Sequence, residues 1–121
     1  MSLSVYLIKK ETSYVCPCCG HRKVEDVTLY DANITHNLGE MAKEAGIYMH
    51  LWRPEEIGIK EAWELINPIE EGLHKLEDNP EYYKQFDSPN GWGLYINFVP
   101  FVSKYLAACR KFPDALVEVS R

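Results

Sequence analysis

Three cysteines and a histidine crowd into the sequence CPCCGH, from Cys16 to His21. Cys16 and Cys19 follow the pattern C-P-x-C-G, which is the knuckle of zinc ribbons and rubredoxin-like sites. At a tight hairpin turn this spacing places both sulfur atoms on one edge of a tetrahedral site, and Gly20 allows the turn to adopt a positive φ. The pattern predicts a structural zinc ion held by Cys16 and Cys19.

The other two ligands of such an ion are open, because the chain has no second C-x-x-C. The candidates are Cys18, His21 and His36. Cys109 is instead expected in the core, because it falls on an apolar helical stripe. The alternative is a hairpin whose cysteines are free or oxidised. A redox role is disfavoured, since cysteines activated in C-x-x-C motifs usually lie at a helix N-terminus.

A second candidate site is the polar run NITHN, from Asn33 to Asn37, where a strand passes into a helix. Backbone N–H groups at a helix start attract anions, and His36 beside them has the chemistry to bind phosphate, donate a proton or ligate a metal. Simpler roles remain open: Asn37 caps the helix, Asn33 suits a turn, and His36 is a structural histidine with satisfied ring nitrogens. Thr35 has no structural role in this interpretation.

Two aromatic segments are expected to share a pocket with this run. Trp52 and Arg53 lie at the far end of the same helical segment, whereas Asn90 and Trp92 lie in the loop DSPNGWG, with Tyr95 close behind. Trp92 is predicted either as a lid over the core or as a stacking surface for a ring or a peptide. The predicted ligand-binding residues are Asn33, Thr35, His36, Trp52, Arg53, Asn90, Trp92 and Tyr95.

The composition is that of an ordinary globular chain: 121 residues, of which 46% are hydrophobic and 26% charged. This length is typical of a single domain, residues 1–121. The net charge of −5 disfavours nucleic-acid binding, which usually needs a basic face. No apolar run reaches the roughly 18 residues of a membrane span. MSLSVYLIKK also lacks the basic start of a signal peptide, so a cytoplasmic location is expected.

Alternating apolar residues predict strands near both ends of the chain. The alternation covers residues 3–9, 24–30 and 115–120. Tyr14 and Val15 on one side of the cysteines and residues 24–30 on the other form a zinc-knuckle-like hairpin at about 13–30, with the cysteines at its tip. We therefore expect an α+β fold, in which both terminal strands and the hairpin form one small antiparallel sheet packed against several helices.

Helical spacing of apolar residues fills the middle of the chain. The first helix is predicted over 38–52, capped by Asn37 and ended or weakened at Gly46. Further helix starts are predicted at Pro54, Pro68 and Pro80, and the last helix carries the stripe Phe98, Val102, Tyr105, Cys109 and Phe112.

Several segments resemble a group of small proteins found in phages and bacterial genomes. They are NITHNLGEMAKEAGIYMHLWRPEE and SPNGWGLYINFVPFV, together with YLAAC, PDA and VSR towards the C-terminus. The resemblance covers most of residues 30–121 and implies a small stand-alone phage or prophage accessory protein. That group has no assigned activity, so the resemblance implies no catalytic residue.

Two functions of different classes follow from these observations. The favoured one is a binding module, whose partner is a host protein, a small polar or anionic molecule, or a second copy of the chain. The alternative is a small metal-dependent, hydrolase-like enzyme with His36 as ligand or general base. The chain lacks a paired-histidine helix motif, a nucleophile elbow and a phosphate loop, so an enzymatic role is less favoured than binding.

Overall fold

A three-stranded antiparallel sheet joins the two ends of the chain. A computed structural model describes residues 2–15, 20, 22–87, 91 and 93–121, with only the backbone at 11–15 and 22–25. The strands are β1 (Ser2–Val15), β2 (Arg22–Thr35) and β3 (Leu116–Ser120), in the order β2-β1-β3. The predicted α+β fold, with both terminal strands in one sheet, is confirmed.

Strand β1 occupies the centre of the sheet because it carries the most regular alternation. Leu3, Val5 and Leu7 are fully buried and face the helices, since side chains two residues apart lie on the same face of a strand. The chain end returns to this strand, with Ser4 opposite Ser120 and Ile8 opposite Leu116. Burial of the apolar face of β1 therefore fixes the register of both its neighbours.

Strands β1 and β2 are much longer than the alternation predicted. β3 pairs only with Ser4–Ile8, whereas the β1–β2 ladder continues to the pair Val15 and Arg22. This two-stranded ribbon leads to Gly20, whose φ of +69° matches the positive φ expected of the knuckle. The knuckle residues 16–19 and 21 lie outside the described residues.

Between β2 and β3 the described residues form five α-helices and two short 3₁₀ segments. The helices are α1 (Gly39–Glu44), α2 (Tyr48–Trp52), α3 (Trp63–Asp78), α4 (Pro80–Lys84) and α5 (Tyr95–Lys111), and the 3₁₀ segments are His36–Leu38 and Pro54–Ile57. None of the helices within the described ranges is both long and apolar enough to cross a membrane.

The first predicted helix ends at Gly46, which is one of the two outcomes expected there. Gly46 has a φ of +78° and divides it into α1 and α2, because a glycine in this left-handed conformation ends a helix. The capping residue differs from the prediction. The predicted cap was the Asn37 side chain, but here the Thr35 hydroxyl is the capping acceptor, and the backbone N–H of Asn37 donates to it at 3.3 Å. Thr35 therefore has a structural role, which the sequence did not predict.

The predicted helix start at Pro68 is also wrong, because α3 continues through this residue. Proline in a helix interior removes one hydrogen bond and usually bends or breaks the helix. Here the apolar stripe runs across it, with Leu65 and Ile69 fully buried on either side and Leu76 fully buried further along. Burial of a continuous stripe outweighs the local preference of proline.

The core lies between the sheet and the pair α3 and α5. Phe98, Val102 and Tyr105 of α5 are fully buried, and the Tyr105 ring stacks on Tyr30 of β2 with 6.1 Å between centroids. Cys109 is also fully buried and free, which confirms that it is a core residue. Burial raises the pKa of the Cys109 thiol to about 12, so this thiol stays protonated near neutral pH.

Candidate functional site

His36 and Trp52 form a side-chain pair at the point where β2 passes into the helices. The indole Nε1–H of Trp52 donates to His36 Nδ1 at 2.8 Å. Trp52 is only 3% exposed, whereas His36 is half-buried. The hydrogen bond places the proton of a neutral His36 ring on Nε2. His36 is therefore oriented by a buried neighbour, and its Nε2–H is the ring group left for a ligand.

Tyr48 extends the aromatic wall by one helical turn. Residues four apart on a helix are neighbours, and the Tyr48 and Trp52 rings stack with 5.3 Å between centroids and 16° between planes. Lys43 lies over the Tyr48 ring with its Nζ 4.9 Å from the centroid. The ring thus holds a cation near the mouth of the site.

Two arginines complete the basic side of the site. Arg53 Nη1 lies 2.6 Å from the Glu56 carboxylate. The hydrogen bond to Glu56 and, to a smaller extent, one to Tyr48 raise the pKa of Arg53. Arg121 donates to the backbone carbonyl of Trp52 at 2.8 Å. Arg121 also pairs with Glu55, and this pairing lowers the pKa of the Glu55 carboxyl. The arginines are held in place by their own partners.

These side chains surround an open cavity of about 400 Å³, a volume within the usual range for small-molecule sites. Lys43, Arg53 and Arg121 line it together with the carboxylate of Glu40, and the two arginines are also paired with Glu56 and Glu55. Charged N–H donors that line one cavity favour an oxyanion, such as a phosphate or a carboxylate. We call this the His36 cavity; its lining residues are His36, Gly39, Glu40, Lys43, Tyr48, Trp52, Arg53 and Arg121.

The structure brings only part of the predicted ligand-binding set to this cavity. His36, Trp52 and Arg53 line it together. Asn33 instead lies on the outer face of the sheet, where its amide donates to the hydroxyls of Ser2 and Ser4 at 3.0 and 2.9 Å. Its location there is explained by pairing across the two strands.

Tyr95 also has a structural role away from the His36 cavity. Its hydroxyl donates to the carbonyl of Leu76 at 2.6 Å, and its backbone N–H donates to the Asp87 carboxylate at 2.7 Å. The first bond joins the start of α5 to the end of α3, and the second joins it to the segment that follows α4. A half-buried hydroxyl with a satisfied hydrogen bond needs no ligand to explain it.

The other two predicted residues, Asn90 and Trp92, lie outside the described residues. Their neighbour Gly93 is buried and has a φ of +118°. A Cβ atom at Gly93 would lie 2.9 Å from Cβ of Asn37 and 3.3 Å from Cγ2 of Thr35. The backbone at Gly93 therefore contacts the NITHN run directly, and only glycine fits this approach.

The cysteines predicted to share a metal ion with His36 lie outside the described residues, so that site stays a prediction. His36 directly follows Thr35, at the opposite end of β2 from Arg22. Fourteen residues of strand separate the two ends, which corresponds to roughly 40 Å at about 3.3 Å per residue. In the part of the chain that the structure describes, no group of three or more His, Cys, Asp or Glu residues is placed to hold a metal.

Five lining residues of the cavity were not predicted from the sequence: Gly39, Glu40, Lys43, Tyr48 and Arg121. Tyr48 was detectable, because it precedes Trp52 by four positions on a helical segment. Lys43 and Gly39 lie on the preceding helix, and the turn at Gly46 brings that helix alongside. Arg121 had no local signal: it reaches Trp52 only because β3 pairs with β1.

Comparison with known proteins found no matching family model, no matching curated protein and no matching solved structure. What the cavity binds must therefore be inferred from its own side chains. The resemblance to phage and bacterial proteins stays a prediction.

Proposed function

We propose that this protein is a binding module that recognises a small oxyanion, a phosphate or a carboxylate, in the His36 cavity. The observation that carries the proposal is the hydrogen bond from the buried indole of Trp52 to His36 Nδ1. It orients Nε2–H as a donor in a cavity that also contains Lys43, Arg53 and Arg121. Charge-assisted hydrogen bonds from such groups are roughly twice as strong as neutral ones.

The residues of the cavity have distinct roles in this proposal. His36 donates from Nε2, and Lys43 supplies a charge whose position is set by the Tyr48 ring. The two arginines already share their charge with Glu55 and Glu56, so they confine the ligand and contribute less attraction. Small accessory proteins of phages act by binding, and the resemblance noted above supports the same class of function.

Calorimetric titration with inorganic phosphate, pyrophosphate and citrate tests the proposal. We expect saturable binding of at least one of these anions to the unmodified protein. His36→Ala should weaken that binding by about 1–3 kcal/mol, the usual value of a hydrogen bond to a charged group, and should change the melting temperature little.

His74→Ala is the matched control, because His74 is an exposed histidine on α3 and lies outside the cavity lining. It should leave the affinity unchanged. Equal losses of affinity in His36→Ala and His74→Ala would contradict a role for the cavity. Loss of folding in His36→Ala would show that His36 is a structural histidine.

We further propose that Cys16 and Cys19 hold a structural zinc ion, with Cys18 and His21 as the remaining candidate ligands. The support is the C-P-x-C-G spacing, the β1–β2 ladder that leads to it and the positive φ of Gly20. Freshly reduced protein should contain zinc, and Cys16→Ser should lower both the zinc content and the melting temperature, because unfolded thiols release the ion. Metal-free protein with an unchanged melting temperature in Cys16→Ser would rule the site out.

A further inference from the structure

A second surface, which shares no lining residue with the His36 cavity, lies where the base of the β1–β2 ribbon meets the C-terminal end of α5. Two adjoining cavities of about 440 and 360 Å³ open there. They share Leu29, Lys111 and Phe112, so they form one continuous groove. We call this the lysine groove.

The floor of the groove is apolar. Ile8 is 4% exposed, and Leu29, Phe112 and Leu116 are half-buried beside it. Leu29 is the extra residue of a β-bulge, because Leu7 pairs with Tyr30 and Ile8 pairs with Thr28. A bulge bends the strand and re-aims a side chain, and here it brings Leu29 into the groove.

The rim of the groove is basic. Lys10, Lys104 and Lys111 line it, and none of the three pairs with a carboxylate among the described residues. By contrast, the adjacent Arg110 lies 2.9 Å from Glu70. Asp114 is the one acidic side chain in the lining. A chain with a net charge of −5 thus concentrates unpaired lysines around an apolar surface.

We propose that the lysine groove binds an acidic amphipathic segment of a partner protein. Apolar side chains of the segment would cover the floor, and its carboxylates would meet the three lysines. Charge complementarity of this kind selects partners and speeds their association. The two cavities adjoin and are open, which suits a peptide that crosses both. Its apolar floor and the acidic chain as a whole do not suit a nucleic acid.

Fluorescence anisotropy with a fluorescein-labelled peptide of leucine and glutamate, twelve residues long, tests this proposal. We expect the unmodified protein to bind this probe in a salt-dependent manner, and Lys104→Glu with Lys111→Glu to weaken binding at least about tenfold. The control is Lys75→Glu with Lys84→Glu, which changes the net charge equally on lysines outside the groove. It should change the affinity less than about twofold.

Three results would overturn the proposal. One is equal weakening in the two double variants, which would indicate general charge attraction. Another is equal binding of a peptide with lysine in place of glutamate. The third is that the protein binds phosphatidylglycerol vesicles but not the acidic peptide, and that Lys104→Glu with Lys111→Glu weakens the vesicle binding. That result would indicate a surface that binds membranes. Amide shifts of the unmodified protein provide an independent readout, because the acidic peptide should perturb Leu29, Tyr30 and residues 104–112.

Discussion

Replacing Trp52 by alanine is expected to lower the free energy of unfolding by about 3–5 kcal/mol, the usual cost of truncating a buried aromatic residue. Trp52 is 3% exposed and stacks on Tyr48. The substitution would remove one wall of the His36 cavity and the donor to His36 Nδ1. It would also remove the side chain that packs next to the backbone carbonyl of position 52, which accepts a hydrogen bond from Arg121. Urea denaturation followed by circular dichroism measures the change.

Two further substitutions separate packing from hydrogen bonding at this position. Trp52→Phe keeps most of the aromatic contact and loses the hydrogen bond to His36. It should therefore lower the free energy of unfolding by about 1 kcal/mol beyond the loss expected from the smaller side chain. Trp63→Ala is the control, because Trp63 is 55% exposed and should change stability little. A Trp52→Ala protein as stable as the Trp63→Ala protein would contradict the described packing.

Gly72→Ala is expected to destabilise the protein by about 3 kcal/mol, the upper end of the usual cost of overpacking. A Cβ atom at Gly72 would lie 2.3 Å from Cγ2 of Ile47 and 3.3 Å from the carbonyl oxygen of Ala45. Ile47 is 1% exposed and has no room to move away. The clash should therefore exceed the gain of about 1 kcal/mol that alanine brings to a helix interior.

A matched glycine and a double variant make this expectation decisive. Gly39 has a φ of −56° and its added Cβ would meet Tyr48 at an ordinary 3.6 Å, so Gly39→Ala should be neutral or stabilising. Ile47→Leu removes the clashing Cγ2, and it should restore part of the stability lost in Gly72→Ala. Thermal melts of the variants and the double variant measure the coupling. Gly72→Ala with unchanged stability would contradict the close contact of α3 with Ile47.

The sheet was predictable because its signals are local. Alternation in β1 and β3 identified the strands, and the need to bury their apolar faces predicted that they share a sheet. The extension of β2 beyond Tyr30 had a local signal that the predicted bounds left out, because Ala32 and Ile34 alternate with Asp31, Asn33 and Thr35. Its extension to Arg22 depends on pairing with Val15 of β1, which no local pattern reveals.

The helix errors have two causes: tertiary packing overrides a local preference at Pro68, and a 3₁₀ turn shifts the cap ahead of α1. Pro68 carries a strong start signal, but the stripe through Leu65 and Ile69 is buried as one surface. At the start of α1 the capping pattern pointed to Asn37, whereas the short 3₁₀ segment shifts the cap to Thr35. A 3₁₀ turn ahead of a helix leaves no clear mark in the sequence.

The candidate site was partly predictable for a similar reason. His36, Trp52 and Arg53 belong to one stretch of helices and were found from residue type and spacing. Arg121 is missing from that prediction because only the return of β3 to β1 brings it to the carbonyl of Trp52. Asn33 was included wrongly, because the strand extends through it and turns its amide to the outer face.

The central claim, that the His36 cavity binds a small oxyanion, is tested most directly by the indole resonance of Trp52. Its Nε1–H is bonded to His36 inside the cavity, and Trp52→Phe identifies its signal among those of the three tryptophans. During titration with phosphate, pyrophosphate or citrate, we expect this resonance and the amides of residues 36–43 to shift saturably. His36→Ala should move the midpoint of the amide shifts to a higher anion concentration. An unchanged Trp52 indole signal, while the same anion binds or shifts residues elsewhere, would contradict the claim.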